Sequence, residues 1–160
     1  MGFFNFFSSQ KETPKQPQHS EAQLQLDLFT NLNQTQKFAM VTMLASLAAA
    51  PTKAERAAMA QKMMFSDAAM MGITQNMMLN YMQTHTKPNS QTVISSLRTI
   101  TDNNVLEWLI YCGYGIITVN QNEKAFSVFF DWWQQLGYKP EDIERIVQKT
   151  EAICKQFNKL

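Results

Sequence analysis

Side chains that could act as nucleophiles, general bases or metal ligands are few and far apart in this chain of 160 residues. There are two histidines, His19 and His85, and two cysteines, Cys112 and Cys154. Cys112 lies in an apolar stretch, where a thiol is usually inert packing. A pair of Cys112 with His85 is conceivable, but no residue in the sequence orients it. Because a Gly-rich phosphate loop and a Gly-x-Ser-x-Gly elbow are also missing, we predict no catalytic residue and no cofactor.

Glu107 is the one candidate for general acid–base catalysis by a carboxylate. It is the sole charged residue between Val105 and Thr118. As half of a buried carboxylate pair it would have a perturbed pKa and could transfer protons. The alternative is an acid near the start of a helix, where it complements the helix dipole. The sequence favours this second interpretation, since no other acid accompanies Glu107.

Methionine is the unusual part of the composition: there are eleven, and ten lie between residues 40 and 82. One interpretation is that these flexible thioethers fill gaps in a helical core. Adjacent pairs favour a second one, because neighbours on a helix point about 100° apart and a narrow buried stripe cannot take both. The sequence then predicts an adaptable apolar groove for a protein partner or a hydrophobic ligand. Its residues would be Met63, Met64, Met70, Met71, Met77, Met78 and Trp132. A third interpretation, copper bound by thioethers, finds no Cys or His within the cluster.

Charge and cysteine content exclude several classes of protein. Fourteen Lys and Arg oppose thirteen Asp and Glu, and both signs are spread evenly along the chain. Without a basic arm or patch we expect no nucleic acid partner. Two cysteines are too few for a disulfide scaffold or a Cys-rich zinc module. The length fits one domain.

The first twenty residues differ in amino-acid composition from the rest of the chain. Residues 1–7 are aromatic, but the stretch is too short and lacks the basic flank of a secretory signal. Residues 8–20 contain two prolines and no apolar side chain, as is typical of a linker. We therefore expect an N-terminal stub and linker at 1–20, a domain at 21–160, and a cytoplasmic chain whose residues 1–7 make weak contact with a membrane or a partner.

The remaining sequence has a helical pattern. Leu24, Leu28 and Leu32 recur every four residues, and no alternating β-branched run suggests a strand. Further helices are predicted at about 35–50 and 53–65. After breaks at Ser66 and Asp67 and at residues 72–74, a methionine-rich helix is predicted to run to about residue 84, and others follow at 91–100, 105–118, 120–136 and 140–157. Residues 108–117 are uncharged and predict a buried helix, whose two glycines indicate a close helix crossing. The fold class is an all-α bundle of about seven helices.

Two corners between helices look alike. Thr52 with Glu55, and Asn120 with Glu123, have the spacing of a capping box, in which a cap side chain and an acid three residues later satisfy each other's backbone amides. A shift of 68 residues superimposes the two corners, which suggests an internal helix-corner-helix repeat. Six aligned positions are too few to prove one. The next helix ends are marked by Asp102 or Asn103 as a cap, by Gly137 and by Pro140.

These corners resemble those of the tellurite-resistance protein B-like (TerB-like) family. That family's two corners read Ala-Asp-Gly-x-Val-Ser-x-x-Glu, and a later turn reads Leu-Gly-Leu-Ser. Here residues 51–55 read Pro-Thr-Lys-Ala-Glu, 119–123 read Val-Asn-Gln-Asn-Glu, and 136–142 read Leu-Gly-Tyr-Lys-Pro-Glu-Asp. The resemblance covers residues 36–157. It implies a small all-helical, non-enzymatic bacterial protein that acts in tellurite, chemical or envelope stress.

The resemblance also implies a divalent metal at the acidic corners, which depends on the Asp of each Asp-Gly. Alanines 48 and 49 and isoleucines 116 and 117 stand at those positions here. Glu55 and Glu123 then supply at most two carboxylates, whereas a hard divalent cation needs several oxygen ligands. We therefore predict no metal site, with these two glutamates as the only family-position candidates.

Overall fold

The computed structural model describes residues 28–85 and 89–158, and this part of the chain consists of helices without a strand. The helices are α1 (Gln34–Ala48), α2 (Ala54–Met70), α3 (Gln75–Thr84), α4 (Ser90–Arg98), α5 (Asn103–Asn120), α6 (Glu123–Gln135) and α7 (Pro140–Asn158). The predicted all-α bundle of about seven helices is confirmed. The stub and linker at 1–20, and Leu24 of the first predicted helix, lie outside the described residues.

Helix α5 is the centre of the bundle. It packs against α1, α2, α6 and α7. Its uncharged segment was predicted to be buried, and Trp108, Leu109 and Ile116 have no exposed surface. Within the described residues, no helix combines the length and the apolar character needed to cross a membrane.

The two glycines of α5 mark the predicted crossing. A Cβ on Gly113 would lie 2.8 Å from Cε2 of Phe129 in α6 and 3.3 Å from Cδ1 of Leu47 in α1. A Cβ on Gly115 would lie 3.1 Å from Cε of Met63 in α2. Other helices do approach closely here, but the nearest atoms belong to side chains rather than to another backbone.

Several predicted helix ends are confirmed. Asp102 caps α5 by accepting a hydrogen bond from the backbone amide of Asn104 at 2.9 Å, and α7 begins at Pro140. Gly137 has a φ of 94°. The amide of Tyr138 donates to the carbonyl of Trp133 at 2.9 Å, which completes the double hydrogen bond of a Schellman end for α6.

The predicted break at Ser66 and Asp67 is wrong, because α2 continues through both residues to Met70. Met64 and Ala68 lie one helical turn apart and are both buried, so packing against the core carries the helix past two residues of modest helix propensity. The helix ends at the second predicted break, at Gly72, whose φ of 77° again belongs to a Schellman turn.

Both predicted capping boxes are also wrong. The N-cap of α2 is Lys53, whose side chain makes no capping hydrogen bond, and the cap of α6 is Asn122 instead of Asn120. The reason is that the predicted cap residues bond to each other's corner. The Thr52 hydroxyl donates to the carbonyl oxygen of Asn120 at 2.7 Å.

Asn120 joins the two corners from inside. Its side chain is fully buried, and Nδ2 donates to the carbonyl oxygens of Leu47 at 2.9 Å and Ala50 at 3.4 Å. Nδ2 of Asn122 donates to the carbonyl oxygen of Pro51. The corners that the 68-residue shift superimposes therefore lie side by side. Side-chain amides satisfy carbonyls at the end of α1 and in the turn after it, and the Thr52 hydroxyl satisfies the last carbonyl of α5.

Candidate interaction surface

Helix α3 is positioned by signals at both of its ends. It follows the turn at Gly72, and the Thr74 hydroxyl caps it by accepting from the amide of Met77 at 3.2 Å. The amide of His85 donates to the carbonyl of Tyr81 at 3.0 Å at the other end. None of its ten residues is buried. It is also the one helix of the described chain without Asp, Glu, Lys or Arg, in a stretch that is uncharged from residue 68 to residue 86.

The inner side of α3 makes few contacts with the bundle. Met77 and Met78 are half-buried against the core. The ring of Tyr81 stacks on Phe38 of α1 with 4.1 Å between centroids, and the His85 ring stacks on Tyr81 at the same distance. Nδ1 of His85 lies 2.9 Å from Oγ1 of Thr84, so this imidazole is engaged at the end of the helix.

The outer side of α3 presents apolar side chains to solvent. Leu79 is 55% exposed and Met82 is 72% exposed. They are three positions apart and therefore neighbours on the helix surface. Exposed amide side chains surround them. We call this set the α3 face: Gln75, Asn76, Leu79, Asn80, Met82 and Gln83.

The residues of the predicted methionine groove are divided between core and surface. Met64, Met70, Met71 and Trp132 are buried, whereas Met63, Met77 and Met78 are half-buried. Met77 and Met78 lie on α3, but Trp132 lies on α6. The exposed large apolar residues of α3, Leu79 and Met82, were outside the predicted set. The signal that could have found them is the uncharged run from residue 68 to residue 86.

The residues considered for chemistry are placed apart from this surface. Glu107 forms an ion pair with Lys149 of α7 at 2.8 Å. Burial, together with the charges of Glu107 and Asp142, raises the pKa of Tyr138. Glu55 and Glu123 are both exposed, and within the described residues no three His, Cys, Asp or Glu side chains are grouped to hold a metal ion. His19 lies outside the described residues.

A carboxyl and a thiol meet between α2 and α5. Asp67 is half-buried and hydrogen-bonds to Cys112, and its burial raises its pKa from 3.8 to about 7. Burial also raises the pKa of Cys112, with a further contribution from the charge of Asp67. The thiol is thus kept protonated, which is the opposite of what a nucleophilic cysteine needs.

The fold and the site together define a small all-α domain with one uncharged, solvent-facing helix. No protein-family model, curated protein or solved structure matches the chain.

Proposed function

We propose that this chain is a non-enzymatic, TerB-like helical domain that acts through protein contacts made by the α3 face. The observation that carries the proposal is the exposure of Leu79 and Met82 on a helix without a single buried residue. Grouped apolar side chains on a soluble surface are typical of interaction sites. The helix is well capped, so the surface is presented in a defined conformation.

The resemblance of the corners supports the wider part of the proposal. A cytoplasmic role in tellurite, chemical or envelope stress rests on the order of the three corner sequences and on the all-α fold, with residues 1–7 making weak contact with a membrane. The side chains described above favour binding over catalysis. The Cys112 thiol has a raised pKa, and His85 is held in a ring stack.

A photo-crosslinking experiment tests the contact. Benzoylphenylalanine replaces Gln83 on the α3 face or, as a matched control, Gln148, which is exposed on α7. We expect protein adducts from position 83 and none from position 148. The adducts should disappear when Leu79→Gln and Met82→Gln are added, but persist with Met59→Gln, which changes a methionine of α2 that is 57% exposed. Equal labelling from both positions would contradict the proposal.

One observation favours a second candidate, a small-molecule-binding or enzymatic domain with an apolar pocket lined by Met and Trp side chains. Nε1 of Trp133 is buried and has no hydrogen-bond partner among the described residues. An unpaired buried donor carries a desolvation cost that a bound acceptor would remove. A thermal-shift screen with small apolar ligands tests this candidate. Hits should be lost with Trp133→Phe, which removes the unpaired donor, and hits unaffected by this change would exclude a pocket at this side chain.

A further inference from the structure

We infer that the partner of the α3 face is a second copy of this chain, bound across a two-fold axis with α3 against α3. This inference rests on the proposed function, since it names the partner for the same surface. It follows from the chemistry of the face, from its geometry and from how α3 is attached to the bundle.

Helix α3 has no charge that would repel a second copy of itself. In a two-fold interface each side chain near the axis meets its own copy, so a charged residue there meets a like charge. The other six described helices each contain at least one charged residue, but α3 contains none. The same lack of charge disfavours other partners. Nucleic acid and anionic membranes are bound through Lys and Arg, and no basic residue lies on this face.

The polar side chains of the α3 face can form hydrogen bonds with their own copies. Four of the six side chains of the α3 face are carboxamides. A carboxamide both donates and accepts, so it can pair with an identical group, whereas a carboxylate or an ammonium cannot. The face is therefore complementary to itself in its polar part as well as in its apolar part.

The length of α3 suits an antiparallel pair of helices. Helix α3 has ten residues and is about 15 Å long, and Leu79 lies at its middle. If two such helices pack antiparallel about their midpoints, Leu79 lies beside the axis. Asn76 of one copy then lies opposite Gln83 of the other. The flexible Met82 fills the space next to this pair.

Helix α3 is attached to its own bundle by few contacts. It is held by two half-buried methionines and by the stack of Tyr81 on Phe38. Covering its outer side would bury Leu79 and Met82, whose exposure costs free energy in the single chain. Because the patch is small, the dimer belongs to the weak, exchanging class of interfaces, so it forms at micromolar or higher concentration.

Sedimentation velocity of the full chain, from low micromolar to several hundred micromolar, tests the inference. The mean sedimentation coefficient should rise with concentration toward that of a dimer. The rise should vanish for the variant with Leu79→Gln and Met82→Gln, and remain for Met59→Gln. Circular dichroism checks that the helix content is unchanged, which we expect because all three positions are exposed.

A charge-pair experiment tests the symmetry itself. Leu79→Lys and Leu79→Glu should each abolish association, because like charges meet at the axis. An equimolar mixture of the two should associate again, as a mixed dimer that loses affinity at high salt. A wild-type chain that associates while the mixture does not would place the contact on another face and overturn the inference.

A wild-type chain that stays monomeric at all concentrations would also overturn it. The proposed function would survive that result if position 83 still gave adducts with a mass other than that of two chains. It would fail together with the inference if position 83 gave no adduct, or if it labelled no more strongly than position 148.

Discussion

Helices α3 and α5 both contain ten consecutive residues without a charge, but the two segments differ in how far their side chains are buried. Residues 108–117 lie at the centre of the bundle, whereas residues 75–84 contribute no buried side chain. The difference lies in the side chains that replace the charges. The α5 segment has Trp, Leu and Ile, with glycines where neighbours approach, whereas the α3 segment alternates Met and Leu with Asn, Gln and Thr. A missing charge therefore predicts burial only when the polar amides are missing as well.

The largest expected effect comes from making the same substitution in each helix. Leu109 of α5 is fully buried and Leu79 of α3 is 55% exposed. Leu109→Ala should lower the free energy of unfolding by about 2–5 kcal/mol, because it removes buried methyl groups and leaves a cavity. Leu79→Ala should change it by no more than about 0.5 kcal/mol at a concentration where the chain is monomeric. Urea denaturation measures the free energy of unfolding of both variants, and similar losses would contradict the difference in burial between the helices.

The next effect extends the comparison to pH. Asp67, a half-buried carboxyl of α2, lies against Cys112 of α5, whereas α3 contains no Asp, Glu, Lys or Arg. The pKa of Asp67 is raised from 3.8 to about 7 by burial, so the folded chain keeps a proton that the unfolded chain has lost. Stability from this group is therefore highest in acid, falls as pH rises from about 4 to 7, and is level above 7. A shift of this size corresponds to a change on the order of 4 kcal/mol.

Asp67→Asn should remove this part of the pH dependence and make the chain more stable than the wild type at pH above about 7. Asp131→Asn, at an exposed carboxylate of α6, is the control and should leave the curve unchanged. Urea denaturation between acid and neutral pH measures the difference. Parallel curves for wild type and Asp67→Asn would show that the carboxyl is solvated in the folded chain.

A third and smaller effect compares two asparagines. Asn120 at the end of α5 is fully buried and ties α1 to the second corner, whereas Asn80 of α3 is exposed. Asn120→Ala should cost about 1–3 kcal/mol, because it leaves the carbonyl of Leu47 without its side-chain donor. Asn80→Ala should be close to neutral. Thermal and urea unfolding should agree on this order, and a neutral Asn120→Ala would mean that water replaces the amide.

The same residues show where prediction from the sequence succeeds. Asp102, Gly137 and Pro140 mark helix ends through bonds and dihedral preferences that span a few residues, so each was predicted from its neighbours alone. The burial of residues 108–117 was predicted because the segment is apolar on all sides. The helical class of the fold follows from such local signals.

Prediction from the sequence fails where a contact with a residue far away in the chain determines the local structure. Thr52 has the sequence of a cap, but its hydroxyl donates to Asn120, 68 residues away. Asp67 looks like a break, but α2 is held through it by packing against α5. The exposure of the outer side of α3 could not be predicted from the spacing of the methionines. The spacing shows which side chains share a helix face, but it does not show which face packs against the bundle.

The smallest effect on stability should be the most informative about α3. Tyr81→Leu removes the ring stack on Phe38 and His85 while keeping a side chain of similar apolar character. The free energy of global unfolding should change by about 1 kcal/mol or less, since a stacked pair contributes about 0.5–1.5 kcal/mol beyond its burial.

Amide exchange should respond more strongly to Tyr81→Leu than global unfolding does. Exchange in residues 75–84 should be faster than in α5 already in the wild type, because segments with few buried contacts open locally, and it should accelerate further in the variant. Raising the protein concentration should slow exchange in α3 in the wild type but not in the variant with Leu79→Gln and Met82→Gln, since only the former can cover this helix with a second copy. Equal protection of α3 and α5 would mean that two methionines and one ring stack anchor a helix as firmly as a full core does, and the contrast between the two helices would then lie in exposure alone.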